Sequence, residues 1–197
     1  MKKKFTNVYQ YKITLMDIQP QIWRIIEVTE TYTFWDLHVA IQDAMGWEDY
    51  HLHDFKIVNP STGMKAEIGI PDEEFEREIL PDTKQKIADW FSLENRLAEY
   101  TYDYGDSWHH TVKLEKILPR DENVTYPRCV DGKRACPPED CGGTRSYEQL
   151  LEIIKDENHE EYERMMEWLG GEFDSEHFDV KEVIFDDPVE RRKMAFG

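Results

Sequence analysis

Val8-Tyr9-Gln10-Tyr11-Lys12-Ile13-Thr14-Leu15 alternates large apolar and polar side chains residue by residue. That period of two places Tyr9, Tyr11, Ile13 and Leu15 on one face of a half-buried strand. Asp17, Gln19 and Pro20 supply turn chemistry, and Ile22 to Val28 reads as the returning strand of a hairpin. Thr33 and Asp36 then form a capping box, in which the Thr hydroxyl and the Asp carboxylate each take a free backbone N–H at the start of a helix. Phe34, Leu37, Ile41 and Met45 line one side of that helix, and Gly46 stops it. His51 to Val58 is a further strand with His51, His53, Phe55 and Ile57 on one side. Strand, strand, helix, strand is the order of a β-grasp-like half, so the expected class is α+β with a β-grasp-like N-terminal half.

Beyond this half the pattern is less regular. Pro60 to Gly63 is a turn, and Glu67 to Glu78 reads as an acidic loop with at most a short strand. Asp82 is placed to cap a helix through Ile87, Trp90 and Phe91. Ala98 to Tyr104 returns to strand with Tyr100, Tyr102 and Tyr104 on one face, and Gly105-Asp106 is the expected two-residue turn. The next strand runs from Trp108 to Leu118, with Trp108, His110, Val112 and Leu114 inward and His109 outward. Pro119 to Gly143 carries four prolines and three glycines, has no periodicity, and is long for a connector in a compact domain. Ser146 with Gln149 marks a helix start, and a second helix spans about His159 to Leu169 before Gly170-Gly171. Asp179 with Glu182, and Asp187 ahead of Pro188, signal further caps. These elements are consistent with a single domain over 1–197, with an N-terminal lobe at about 5–60 and a C-terminal lobe at about 80–197.

Composition narrows the function classes. Lys and Arg number 24 against 42 Asp and Glu, a formal net charge of −18, which opposes a surface that tracks nucleic-acid phosphates. There is no apolar run of the roughly 20 residues that span a bilayer, and Met1-Lys2-Lys3-Lys4 leads straight into an amphipathic strand. The expected location is therefore cytoplasmic, where three cysteines act as thiols or metal ligands more readily than as a disulfide framework.

The unusual residues concentrate in two places. Tyr102-Asp103-Tyr104-Gly105-Asp106-Ser107-Trp108-His109-His110 and Cys136-Pro137-Pro138-Glu139-Asp140-Cys141-Gly142-Gly143, with Cys129 between them, hold acids, histidines, aromatics and all three thiols. If the loop folds over the hairpin, Tyr102, Asp103, Asp106, Trp108, His110, Glu139 and Asp140 line a polar pocket. The acids can serve as a general base or hard-metal ligands, and equally as local turn and cap residues. Cys129, Cys136 and Cys141 with His110 make a candidate zinc set, though their gaps are wider than those of zinc knuckles, and buried metal-free thiols fit as well. His51 and His53, about 6.6 Å apart on one strand face, offer a second metal-compatible pair, or two histidines bonded at a sheet end. The tyrosine ladder is equally suited to stacking on a ring or to filling a core. No nucleophile triad and no Walker-type glycine loop accompanies these residues.

At these residues, together with Ile22-Trp23-Arg24, Met45-Gly46-Trp47, His51-Leu52-His53-Asp54-Phe55 and Tyr147, the chain resembles the plasmid pRiA4b ORF-3-like family. That family's pattern is Tyr-Asp-Phe-Gly-Asp, then Trp and His separated by one residue, then Pro-Pro-Glu-Asp-x-Gly-Gly. Only Tyr104 departs from it, standing where the family has Phe. Phe173 to Phe178 resembles the family's C-terminal segment. The resemblance implies an α+β fold, a cytoplasmic location and an association with plasmids and mobile elements, but no reaction. The expected activity is that of a ligand- or partner-binding module, its occupant a small molecule or a protein segment. A metal-dependent hydrolase using His110 with the nearby acids is the alternative, and a nucleic-acid-associated accessory role the third.

Overall fold

A computed structural model describes residues 5–71 and 78–196. Eight strands form one mixed sheet in the order β5-β4-β3-β6-β7-β1-β2-β8, accompanied by five helices, so the fold is α+β. The first hairpin is β1 (Asn7–Leu15) with β2 (Trp23–Thr29), paired antiparallel from Val8 opposite Thr29 to Thr14 opposite Trp23. Helix α1 (Phe34–Met45) starts at the Thr33–Asp36 capping box and ends at Gly46, whose φ of +95° is the left-handed conformation that glycine adopts without a Cβ clash. Its buried Phe34, Leu37 and Ile41 pack in one core with Tyr11, Ile13 and Ile26 of the hairpin and with Phe55 and Tyr100.

The strand after α1 does not join the first hairpin. β3 (His53–Val58) pairs with β4 (Lys65–Gly69) and β6 (Leu97–Tyr102), and β6 with β7 (Trp108–Pro119) separates it from β1. The segments 5–60 and 80–197 thus contribute interleaved strands to the same sheet. β4 occupies the first part of what the acidic composition suggested was a loop. The rest of that expected acidic loop, residues 72–77, lies outside the described residues. β5 (Ile79–Pro81) runs parallel to β4 at the sheet edge.

Other local expectations shift for identifiable reasons. Asp82 caps nothing: it is 1% exposed, and the short helix α2 (Ile87–Trp90) has Lys86 at its N-cap without a side-chain cap. β6 ends at Tyr102, so Tyr104 lies outside the sheet and is 46% exposed, whereas Tyr100 and Tyr102 are fully buried. The aperiodic 119–143 segment contains a strand, β8 (Arg128–Lys133), which pairs with β2 at the opposite sheet edge. Helix α3 (Gly143–Ile153) begins three residues before Ser146, with Gly142 as N-cap at φ +90°. α4 (Tyr162–Leu169) ends at Gly170, and α5 (Pro188–Phe196) follows Asp187, whose carboxylate accepts from the Val189 N–H at 2.8 Å.

One buried cation ties these layers together. Arg24 on β2 is 2% exposed and donates Nε to the Ala44 carbonyl at 2.7 Å, in the last turn of α1, where backbone oxygens lack helical partners. Its Nη1 reaches the carbonyls of Trp23 and Lys133, and its guanidinium lies 4.0 Å from the Phe178 ring. No helix among the described residues is long and apolar enough to cross a membrane.

Candidate functional site

The turn between β6 and β7 runs from Asp103 to Ser107, and these two residues, not Gly105, carry the positive φ, at +55° and +56°. Asp103 stabilises that turn itself: its Oδ1 accepts from the Gly105 N–H at 2.7 Å and its carbonyl from the Ser107 N–H at 2.6 Å. The arrangement buries Asp103 to 6% exposure and leaves Oδ2 facing His51 Nε2 at 3.7 Å.

The loop after β8 lies against this hairpin. The Gly142 N–H donates to Asp106 Oδ2 at 2.9 Å, and the indole N–H of Trp47 to the Pro137 carbonyl at 2.9 Å. Glu139 Oε1 accepts from the Glu48 N–H at 2.8 Å and from the Tyr102 hydroxyl at 3.0 Å, while the Tyr50 N–H donates to that hydroxyl at 3.1 Å. Asp140 Oδ1 stands 2.9 Å from His51 Nε2. The root of the loop is held by Arg134, 3% exposed, which donates to the Pro20 carbonyl and to Glu176. These anchors are all hydrogen bonds between groups far apart along the chain, which apolar periodicity does not reveal.

Of the seven expected pocket residues, Tyr102, Asp103, Asp106, Glu139 and Asp140 meet at this crevice through the bonds above. Trp108 and His110 lie in the core behind it, 1% and 2% exposed, with the Trp47 ring 5.9 Å and 5.3 Å from theirs. Burial drives the His110 imidazole down to about 3, so it is neutral, with Nδ1 on the Trp108 carbonyl at 3.1 Å. Burial also raises the Glu139 carboxyl and the Tyr102 phenol above their ordinary ranges.

Two sets of metal-competent side chains have ligand atoms within 4.8 Å of one another among the described residues: His51, Asp103 and Asp140, and His38, Asp49 and His53. Cys129, Cys136, Cys141 and His110 do not form such a set. Cys129 is buried on β8 with Sγ 3.6 Å from the Asp131 carbonyl, His110 faces the core from β7, and all three thiols are free. Their pKa values are raised by burial, that of Cys141 to about 12, as for thiols in a low-dielectric wall.

The two histidines paired on paper belong to different sites. His51 precedes β3 and joins the crevice, whereas His53 points into the core beside Asp82. Sequence reasoning missed His38, Asp49 and Asp82. His38 sits on the apolar stripe of α1, and only the tertiary fold brings its partners to it.

His51, Asp103 and Asp140 give one imidazole and two carboxylates on a surface open to solvent, with His51 30% and Asp140 66% exposed at the side chain. That donor mix suits a borderline or hard divalent cation and leaves coordination positions to water or a ligand.

A family model described as "Plasmid pRiA4b ORF-3-like protein" matches residues 7–182. The uncharacterized protein y4hQ of Sinorhizobium fredii is 31% identical over 173 residues, covering 86% of this chain and 84% of that protein. The crystal structure of a protein of unknown function, MM3350 from Methanosarcina mazei Go1, superposes with a TM-score of 0.87 at 54% identity, covering 92% of this chain and all of that one. By the extent of the family match and the identity to these relatives, the chain belongs to the plasmid pRiA4b ORF-3-like family.

Proposed function

We propose that the crevice between the 102–110 hairpin and the 129–143 loop makes this protein a cytoplasmic binding module whose occupant is a divalent cation together with whatever ligand that cation recruits. The observation that carries the reading is the convergence of His51 Nε2 with Asp103 Oδ2 at 3.7 Å and Asp140 Oδ1 at 2.9 Å. Two acids and one histidine from the 48–51 loop, the hairpin turn and the long loop meet there, in a chain whose net charge of −18 favours cations on encounter. The test is titration of metal-stripped protein with Mn²⁺ while the histidine ring protons are followed by NMR. Saturable broadening of His51 that Asp140→Asn weakens at least about tenfold supports the site. No broadening of His51 up to about millimolar Mn²⁺ overturns it.

A second reading, a metal-assisted hydrolase, is favoured by Glu139, a half-buried carboxyl beside the open cluster that burial raises above its ordinary value. Under this reading Glu139→Gln abolishes turnover of an activated ester while Mn²⁺ still broadens His51. No metal-stimulated turnover by the unaltered protein removes it.

A further inference from the structure

A second constellation lies beside Tyr102, whose ring is 5.9 Å from that of His51 and 6.4 Å from that of His38. His38 of α1, His53 of β3 and Asp82 are 0%, 1% and 1% exposed, and the Asp49 side chain is 5% exposed. The two imidazoles are stacked with centroids 3.5 Å apart and planes 7° from parallel, an arrangement two imidazolium cations would not tolerate. At least one ring is therefore neutral, the state in which a histidine offers a lone pair to a metal.

His38 is fully bonded: Nδ1 meets the Tyr100 hydroxyl at 2.8 Å and Nε2 meets Asp49 Oδ1 at 2.7 Å. Gln42 holds that hydroxyl from the far side at 2.9 Å. His53 is not. Neither of its ring nitrogens makes a hydrogen bond, nor do Asp49 Oδ2 and Asp82 Oδ2. Unpaired polar atoms at this depth are unfavourable, and native interiors rarely keep several together. His53 Nε2 stands 3.2 Å from Asp82 Oδ2 without hydrogen-bond alignment. Two donors each about 2.1 Å from one tetrahedral ion stand roughly 3.4 Å apart, so this spacing suits a shared cation.

Charge points the same way. The carboxylates of Asp43, Asp49, Asp82 and Asp186 lie on this side of the sheet, against the cations Arg191 and Arg192. The excess negative charge is what a divalent ion would neutralise. A cleft of about 400 Å³ lined by Trp47, Asp49, Asp186 and Arg191, between the 47–50 loop and α5, borders the constellation at Asp49. Helix α5 closes over the site through Arg191 on Asp43 at 2.6 Å and the Trp35 indole N–H on the Pro188 carbonyl at 2.8 Å.

We propose that His38, Asp49 and His53, whose ligand atoms lie within 4.8 Å of one another, form a buried zinc centre under α5 that Asp82, 3.2 Å from His53, completes on loading, separate from the open crevice. Two imidazoles and two carboxylates make a closed four-ligand set that favours Zn²⁺ over Mg²⁺ or Ca²⁺. Tyr100, backed by Gln42, orients His38, as outer-shell partners orient metal-bound histidines elsewhere. On loading, the rings turn out of parallel so that both in-plane lone pairs reach the ion.

The test uses the full chain carrying His51→Ala and Asp140→Asn, which removes the open site. After dialysis against micromolar zinc it should retain about one equivalent, with X-ray absorption showing two imidazole nitrogens and no sulfur. Adding His53→Gln should lower retention below about a tenth of an equivalent in a chain that circular dichroism shows folded. Should that variant unfold, Asp49→Asn, reached from the cleft, should weaken zinc at least about tenfold. Zinc absent from the double variant, zinc with fewer than two imidazoles, or zinc on sulfur each overturns the proposal. Broadening of His51 by Mn²⁺ is decided separately, so either site can fail without the other.

Discussion

Asp106 Oδ2 accepts a hydrogen bond from the backbone N–H of Gly142 at 2.9 Å, joining the β6–β7 turn to the start of α3, 36 residues further along the chain. The carboxylate satisfies a donor at the N-cap of that helix, where negative charge is also favoured by the helix dipole. Asp106→Ala is expected to cost about 1 kcal/mol in urea denaturation, since the bond is solvent-exposed. The same variant should increase proteolytic nicking between residues 134 and 142, because this bond and those of Trp47, Glu139 and Asp140 are what hold the loop down.

The next residue gives a sharper test of the same contact. Gly143 has φ +77°, and a Cβ there would meet the Asp106 carbonyl oxygen at 2.7 Å. Gly63, with φ +71°, faces open space. Gly63→Ala should cost about 1 kcal/mol, the left-handed penalty alone. Gly143→Ala should cost more than about 2 kcal/mol, because the backbone of the hairpin must also move. Equal losses in the two variants would mean that α3 is not pressed against the turn.

Acid should destabilise the protein through its buried imidazoles. Burial lowers His110 and His38 to about 3 and His53 to about 4 from an ordinary value of 6.5. Between those values the unfolded chain binds protons that the folded chain excludes, so the stabilisation is complete above about 6.5 and is lost as pH falls toward the folded values. Asp43 and Asp49 oppose this: burial raises each to about 6 from 3.8, so their contribution improves as pH falls through that interval. With three imidazoles against two carboxyls, the urea midpoint should fall between pH 7 and pH 4. His110→Gln should flatten that fall, and an unchanged slope would contradict a neutral buried His110.

The thiols should be slow nucleophiles. Cys136 and Cys141 are pushed up mainly by burial, Cys141 to about 12, so little thiolate exists at pH 8. Alkylation by iodoacetamide, followed by mass spectrometry, should run at least about tenfold slower in the folded chain than in urea. Labelling of Cys136 or Cys141 at the unfolded rate would show that the 134–142 loop does not shield them.

Much of the architecture is legible where the physical signal is local. The Thr33–Asp36 box closes within one helical turn, and the alternation from Trp108 to Leu114 needs only the pleat of a strand, so both are found as read. The hairpin turn departs from the two-residue pattern that Gly105-Asp106 suggests, because Asp103 bonds its own backbone and carries the positive φ together with Ser107. β8 was invisible because an edge strand paired on one side needs little apolar periodicity, and Cys129 supplies its buried position.

Local pattern along the chain suffices for the class, the first hairpin, the capped helix and the segments rich in chemistry, since each depends on neighbours within a few positions. The order of the strands, the placement of Asp82 beside His53, and the division of His51 from His53 were decided only in three dimensions. The reason is that those relationships join residues tens of positions apart, whose proximity follows from how β6 and β7 insert between β3 and β1 and not from any pattern along the chain.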